Sequence, residues 1–320
     1  MADNRNVHKT SIGGQALIEG VLMRGPTEVA IAVRKPNNEI DLQVQKLNTL
    51  AMRHKIFRIP FIRGVVSLIE SLTMGTKALM HSAEFFDDEE EEVQVEEVEA
   101  RGFFGKIKSF FARKLKEWEM FLTLAFSLVL SVGIFMVLPN LITSFIGRNL
   151  NSSVGLNLIE GFIRIVIFLL YVVWVAKVED VKRVFEYHGA EHKSIHCYES
   201  GQELTVENVR KHSILHARCG TSFLFMVMIV SVLVLSFFGW PNPILRILTR
   251  ILMFPVIAGI TYEINRLIGR SNSKFCYGLS YPGLMIQKYA TVKEPDDEQI
   301  QVAIESLKAV IPEEEGLDQW

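Results

Sequence analysis

Cysteine is scarce in this chain: three in 320 residues, at Cys197, Cys219 and Cys276. That excludes a disulfide-stapled scaffold and leaves thiols available to a metal in a reducing compartment. Residues 1–25 have no charged start followed by an apolar core, so no cleavable secretory signal is expected. Charge is missing altogether from the run FLFMVMIVSVLVLSFFG at 223–239. Basic residues are missing from 87–99, where nine acidic residues stand, so the rest of the chain carries a net positive charge. Such an acidic run reads as a solvated linker.

What is abundant is apolar sequence. Hydrophobic residues make up 49% of the chain, and they gather in blocks. Four blocks, at 120–146, 156–176, 220–239 and 244–264, approach the roughly 20 residues that cross a hydrocarbon layer. Charges inside them are few. Arg164 has Glu160 one turn earlier, and Arg246 and Arg250 stand toward one end of their segment, where long side chains snorkel or pair. Lys and Arg collect before the first block, between the second and third, and after the fourth; the other two connections hold only Arg148. The positive-inside rule then puts both termini in the cytoplasm of a multi-pass cell-membrane protein whose partner is the lipid bilayer. Basic residues clustered beside spans are explained by lipid, so nucleic acid is not expected.

The expected fold is mainly α: a helical integral membrane protein of about four transmembrane helices with a small N-terminal α+β cytoplasmic region. Its expected domains are a glycine-rich motif, β-hairpin and amphipathic helix at 1–86, an acidic linker at 87–100, a basic interfacial helix at 101–119, a four-span domain at 120–265 carrying a cytoplasmic His-rich hairpin at 177–219, and a C-terminal tail at 266–320. The hairpin is read from alternating residues at 28–35 and 39–47 around Pro36-Asn37-Asn38. Before it, the glycines of 13–20 suit either a turn or a close approach of backbone. Apolar positions 62, 65, 69, 72, 79 and 83 form a helical stripe, but Arg63, Glu70 and Lys77 argue against spanning; the helix should lie along the membrane or pack on the soluble region. Aromatics alternate with lysines at 103–118, as in an interfacial helix. After Pro295, residues 296–311 read as a short packing helix.

Chemistry concentrates just after the second block, in Y-H-G-A-E-H-K-S-I-H at 187–196. His188, His192 and His196 are four apart and share one face of a helix, beside Glu191. They continue the apolar stripe of Val178, Val181 and Phe185, so they point inward, where burial favours the neutral, metal-binding imidazole. The order His188-x-x-Glu191-His192 also fits the inverted zincin pattern, two zinc ligands with a glutamate as base. A catalytic zinc takes three protein ligands and keeps a position open for water. His196 or a distant residue is the candidate third ligand. Glu263 is one such residue, with pairing to Arg266 as its alternative. His216 and Cys219, three apart and just before the third block, can face the same ion. Mixed His, carboxylate and thiolate donors favour zinc over magnesium or calcium and leave iron and manganese as alternatives.

Four ordered motifs, G-G-Q-A-L-I-E-G-V-L-M-R-G-P at 13–26, Y-H-G-A-E-H-K at 187–193, R-C-G-T-S-F at 218–223 and E-P-D-D at 294–297, resemble the YqhQ-like family of bacterial multi-pass membrane proteins. Members are usually described as candidate metal-dependent enzymes without an established substrate. The resemblance covers nearly the whole chain; Ala217 stands where the family often has proline. It implies a metal site facing the cytoplasm and adds Gln15, Glu19 and Arg24 as residues lining it. Two function classes follow. One is a metal-dependent membrane hydrolase, with His188, His192 and a third ligand on zinc and Glu191 moving the proton of an activated water. The other is a non-catalytic metal-binding protein, whether ion transporter, sensor or assembly factor.

Overall fold

A computed structural model describes residues 8–87, 122–123, 125–271, 273–314 and 316–319. The acidic linker beyond Asp87, the basic helix expected at 101–119 and the start of the first apolar block lie outside the described residues. The chain is mainly helical, with one four-stranded antiparallel sheet at its N-terminal end. Strands β1 (Gly13–Leu17), β2 (Gly20–Arg24), β3 (Glu28–Arg34) and β4 (Ile40–Lys46) follow one another in sheet order. Helices α1 (Leu50–Arg53), α2 (Ile62–Asp87), α3 (Ala125–Ile146), α4 (Ser153–Val175), α5 (Glu179–Glu199), α6 (Val206–Arg210), α7 (Gly220–Ser236), α8 (Pro243–Arg270), α9 (Lys274–Ile286) and α10 (Asp297–Lys308) complete it.

The β3–β4 hairpin closes with Arg34 opposite Ile40, and Asn38 takes the left-handed conformation that asparagine tolerates. The glycine-rich segment ahead of it forms strands as well, with Leu17 paired to Gly20 across the two-residue turn Ile18-Glu19. Positive φ falls there on Glu19, at 48°, and not on a glycine. Glu19 is held in that conformation by Arg183 of α5 and by the Tyr187 hydroxyl, which donates at 3.1 Å.

Period-two alternation gives this sheet two buried faces. Val21, Met23, Ala30 and Ala32 pack with Tyr187, Ala190 and Ile195 of α5 and with Ile300, Ala303, Ile304 and Leu307 of α10. Leu17, Leu22 and Val29 face Met74 and Ala78 of α2. The segment expected as a tail helix is therefore central to the core. Its start is fixed by a reciprocal cap, the Asp296 side chain accepting from the Gln299 N–H while Gln299 returns to the Asp296 N–H. Helix α2 sits on the sheet through Met74 and Ala78, while Ile69, Leu72 and Leu79 of the apolar stripe remain exposed.

Among the described residues three helices, α3, α4 and α8, are long and apolar enough to cross a membrane. The third block holds α7, apolar and 17 residues long, ending at Ser236 ahead of Trp240-Pro241. At 1.5 Å per residue that is about 25 Å, at the short end of the roughly 17 to 25 residues that cross a membrane. The chain divides into two compact units. Met1–Phe86, Leu169–Val234 and Leu252–Trp320 contribute the first, with the sheet and the histidines; Asp87–Phe168 and Leu235–Ile251 contribute the second.

Candidate metal centre

Helix α5 opens with Glu179 and Asp180 in its first turn, matching the helix dipole, and turns its second half into the core. Gly189 lets it press against the chain at 293–295. A Cβ there would come within 2.0 Å of the Lys293 carbonyl oxygen, and the Lys293 N–H donates to the Phe185 oxygen at 2.9 Å. This contact sets the depth at which His188 and His192 are buried.

The Nε2 atoms of both histidines converge with Cys219. His188 Nε2 lies 3.1 Å from the Cys219 sulfur, and His188, His192 and Cys219 offer donor atoms all within 4.8 Å of one another. Their outer nitrogens are tied to main chain: His188 Nδ1 to Thr291 O at 2.9 Å, His192 Nδ1 to Ile214 O at 2.6 Å. A carbonyl only accepts, so each Nδ1 carries a proton, and each ring turns its Nε2 toward the cluster. Metal-ligating histidines are oriented this way by their outer hydrogen bond. His192 Nε2 is buried without a partner among the described residues, and so is Oε2 of Glu191. Glu191 Oε1 accepts from the Gly14 N–H of β1 at 3.0 Å. Two imidazoles, a thiol and an adjoining carboxylate suit a borderline-soft divalent ion such as zinc.

Electrostatics favour a thiolate at the centre. Burial alone would raise the Cys219 thiol, but His188 and His192 outweigh it and hold it well below the ordinary value. Burial works against charge on His188 too; Cys219 and Glu191 overcome it and raise the imidazole to about 9. In the absence of an ion the two form an imidazolium–thiolate pair, and a divalent cation would displace the His188 proton. Glu191 is raised by its burial, against the pull of His192 and His188.

The other expected ligands assemble next door. His196 and His216 join Glu199, not Cys219, in a second group whose donor atoms also lie within 4.8 Å. The four imidazoles form a continuous ladder, with centroid spacings of 4.4 Å (His188–His192), 5.4 Å (His192–His216) and 4.7 Å (His196–His216). In the second group Arg218 takes the place a cation would have: it pairs with Glu199 and approaches His216 Nε2 at 3.2 Å. Burial lowers His196 to about 4 and His216 well below its ordinary value. Glu263 joins neither group. It is held by the guanidinium of Arg63 from α2, through Nε at 2.7 Å and a second, shorter contact, with Arg266 acting on it only at longer range.

The N-terminal residues divide as well. Gln15 lies on the α2 face, against Gly75, and Arg24 stands 3.9 Å from Glu70. Glu19 reaches Arg183 and Tyr187 of α5, one turn from His188. The glycine-rich strand touches the cluster through the backbone of Gly14, a contact no side-chain pattern announces. Glu199 and Arg218 also escaped the sequence reading, though Arg218 opens the motif at 218–223 and Glu199 lies within the hairpin at 177–219.

A cavity of about 320 Å³ opens beside Cys219, lined mostly by apolar atoms of Leu68, Phe223 and Tyr262 together with Asn265, Arg218 and Arg266. A larger one, about 680 Å³ between β4 and α2, has none of the clustered histidines in its wall.

A mainly helical protein with three membrane-length helices among the described residues and a small N-terminal sheet that backs a His/Cys/Glu cluster is the class these features define. The chain belongs to the family described as "Protein of unknown function (DUF1385)", whose model matches residues 59–313. It is 34% identical over 307 residues, 93% of this chain and 92% of the other, to the "Uncharacterized protein YqhQ" of Bacillus subtilis (strain 168). No solved structure matches it.

Proposed function

We propose that this protein is a metal-dependent hydrolase of the cytoplasmic membrane surface, with His188, His192 and Cys219 as ligands to zinc or a similar divalent ion. One observation carries the reading: two imidazoles whose Nδ1 atoms are fixed by main-chain carbonyls aim their Nε2 atoms at one thiol, and one of those nitrogens is buried with no partner among the described residues. A zinc with three protein ligands has a fourth position for water and lowers that water's pKa toward neutrality. Glu191 is the base. Its Oε2 has no hydrogen-bond partner among the described residues, burial raises its proton affinity, and Oε1 is anchored by Gly14.

The cavity at Cys219 supports an amphiphilic substrate such as a lipid-linked or phosphate ester, since its apolar wall ends at Arg218 and Arg266. The exposed stripe Ile69, Leu72 and Leu79 supports a place at the lipid interface. The distribution of Lys and Arg supports cytoplasmic termini.

Cobalt(II) substitution tests the ligand set. A thiolate-to-cobalt charge-transfer band is expected in the wild type and its loss in Cys219→Ser; a cobalt spectrum indifferent to Cys219 would remove the thiol from the centre. A second reading, a non-catalytic metal sensor or transporter, draws on the Gly14 hydrogen bond, which would equally steady a carboxylate that only orients ligands.

A further inference from the structure

The second unit holds a charge cluster where the apolar helices α3, α4 and α8 near their turns. Glu160, 1% exposed, pairs with Arg164 at 2.8 Å and with Arg250. Arg246 donates to Asn140 Oδ1 at 3.0 Å and to Ser144 Oγ at 3.2 Å, and its guanidinium lies 3.8 Å from the centre of the Trp240 ring. Arg246 and Arg250 are 5% and 8% exposed. Guanidinium stays protonated in proteins, so among the described residues three cations here face a single carboxylate.

The imbalance is visible atom by atom. Arg246 Nε and Nη1, Arg250 Nη1 and Asn140 Nδ2 are buried and have no hydrogen-bond partner among the described residues. Buried charge and unmet donors at this density are stable only when something compensates them. What fits is a compact ligand with about two negative charges and several acceptor oxygens, which planar guanidinium forks bind in pairs. Glu160 and Arg250 each lie seven positions into their helices, about 10 Å along the axis. That is about a third of the way into a layer roughly 30 Å thick, with Arg246, three positions into its helix, nearer the edge where lipid phosphates sit. The space among Asn157, Arg246, Thr249 and Arg250 is about 20 Å³, enough for one oxygen of such a group with the remainder at the mouth.

We propose that Arg164, Arg246 and Arg250, balanced in part by Glu160, form a binding site for a phosphate group at the membrane interface. The same chemistry is offered by the headgroup of an anionic phospholipid and by free phosphate, and the test separates them. The full chain is reconstituted in phosphatidylcholine nanodiscs with or without phosphatidylglycerol, and retained lipid is read by native mass spectrometry. Inorganic phosphate is titrated calorimetrically in parallel. Wild type is expected to retain phosphatidylglycerol, with Arg246→Gln/Arg250→Gln weakened about tenfold or more. Binding of inorganic phosphate without lipid retention assigns the same site to the free ion. Glu160→Gln, which removes the one carboxylate, is expected to tighten retention, an effect that a purely structural ion pair would not give. Equal retention by wild type and the double variant, with no phosphate heat in either, overturns the proposal; so does Glu160→Gln that folds and binds no tighter.

Discussion

The backbone N–H of Gly14 donates to Oε1 of Glu191 at 3.0 Å, joining positions 177 residues apart in the chain. A Cβ at Gly14 would meet Leu22 O at 2.5 Å, the Met23 sulfur at 2.9 Å and Cδ of Glu191 at 3.0 Å. Gly14→Ala therefore either moves β1 or pushes Glu191 aside. We expect a loss of about 1–3 kcal/mol from overpacking, with metal content retained and turnover reduced. Thermal unfolding read beside metal analysis checks it; unchanged stability would mean that the strand is not pressed against α5.

Replacing Glu191 itself separates the two functional readings. Glu191→Gln is expected to keep metal affinity while abolishing activity in cells, because the amide preserves the Gly14 bond but takes no proton. Weakened metal binding in that variant would make Glu191 a ligand and end the hydrolase argument.

Glu263→Gln should leave metal content unchanged and lower stability by about 1 kcal/mol, since it weakens a partly exposed pair with Arg63. Loss of metal on that substitution would return Glu263 to the centre.

Acid should destabilise the fold through the second histidine group. His196 is depressed by burial to about 4, from 6.5, so the unfolded chain takes up its proton first. The stability this neutral histidine contributes is full above pH 6.5 and is lost as pH falls toward 4. Melting temperatures measured across that window should fall more steeply for wild type than for His196→Asn. Parallel curves would contradict the depressed value.

How far the sequence spoke is clearest in the ladder. That His188 and His192 stand side by side was legible, because four residues is about one helical turn. His196 was overreached for the same reason. Eight residues is about 12 Å of helix, too far for His188 and His196 to share an ion. Cys219 was legible from its motif, but its separation from His216 was not. That depends on Gln287, whose Oε1 accepts from the His216 N–H and whose Nε2 donates to the His216 carbonyl, both at 2.9 Å. The β3–β4 hairpin was plain from alternation around Asn38. β1 and β2 were not, because Gly13, Gly14 and Ala16 carry too little side chain to alternate. Glu263 was misplaced because Arg63, its partner, is 200 positions away, a distance local spacing cannot bridge. The length of α7 depended on its stopping at Ser236 when the apolar run continued through Phe238.

Elemental analysis of the purified protein, expressed with metal available, tests the central claim most directly. The wild type is predicted to carry about one transition-metal ion per chain and the folded His188→Ala/His192→Ala variant none. A folded wild type with no stoichiometric metal would contradict the account in both its catalytic and its sensing forms.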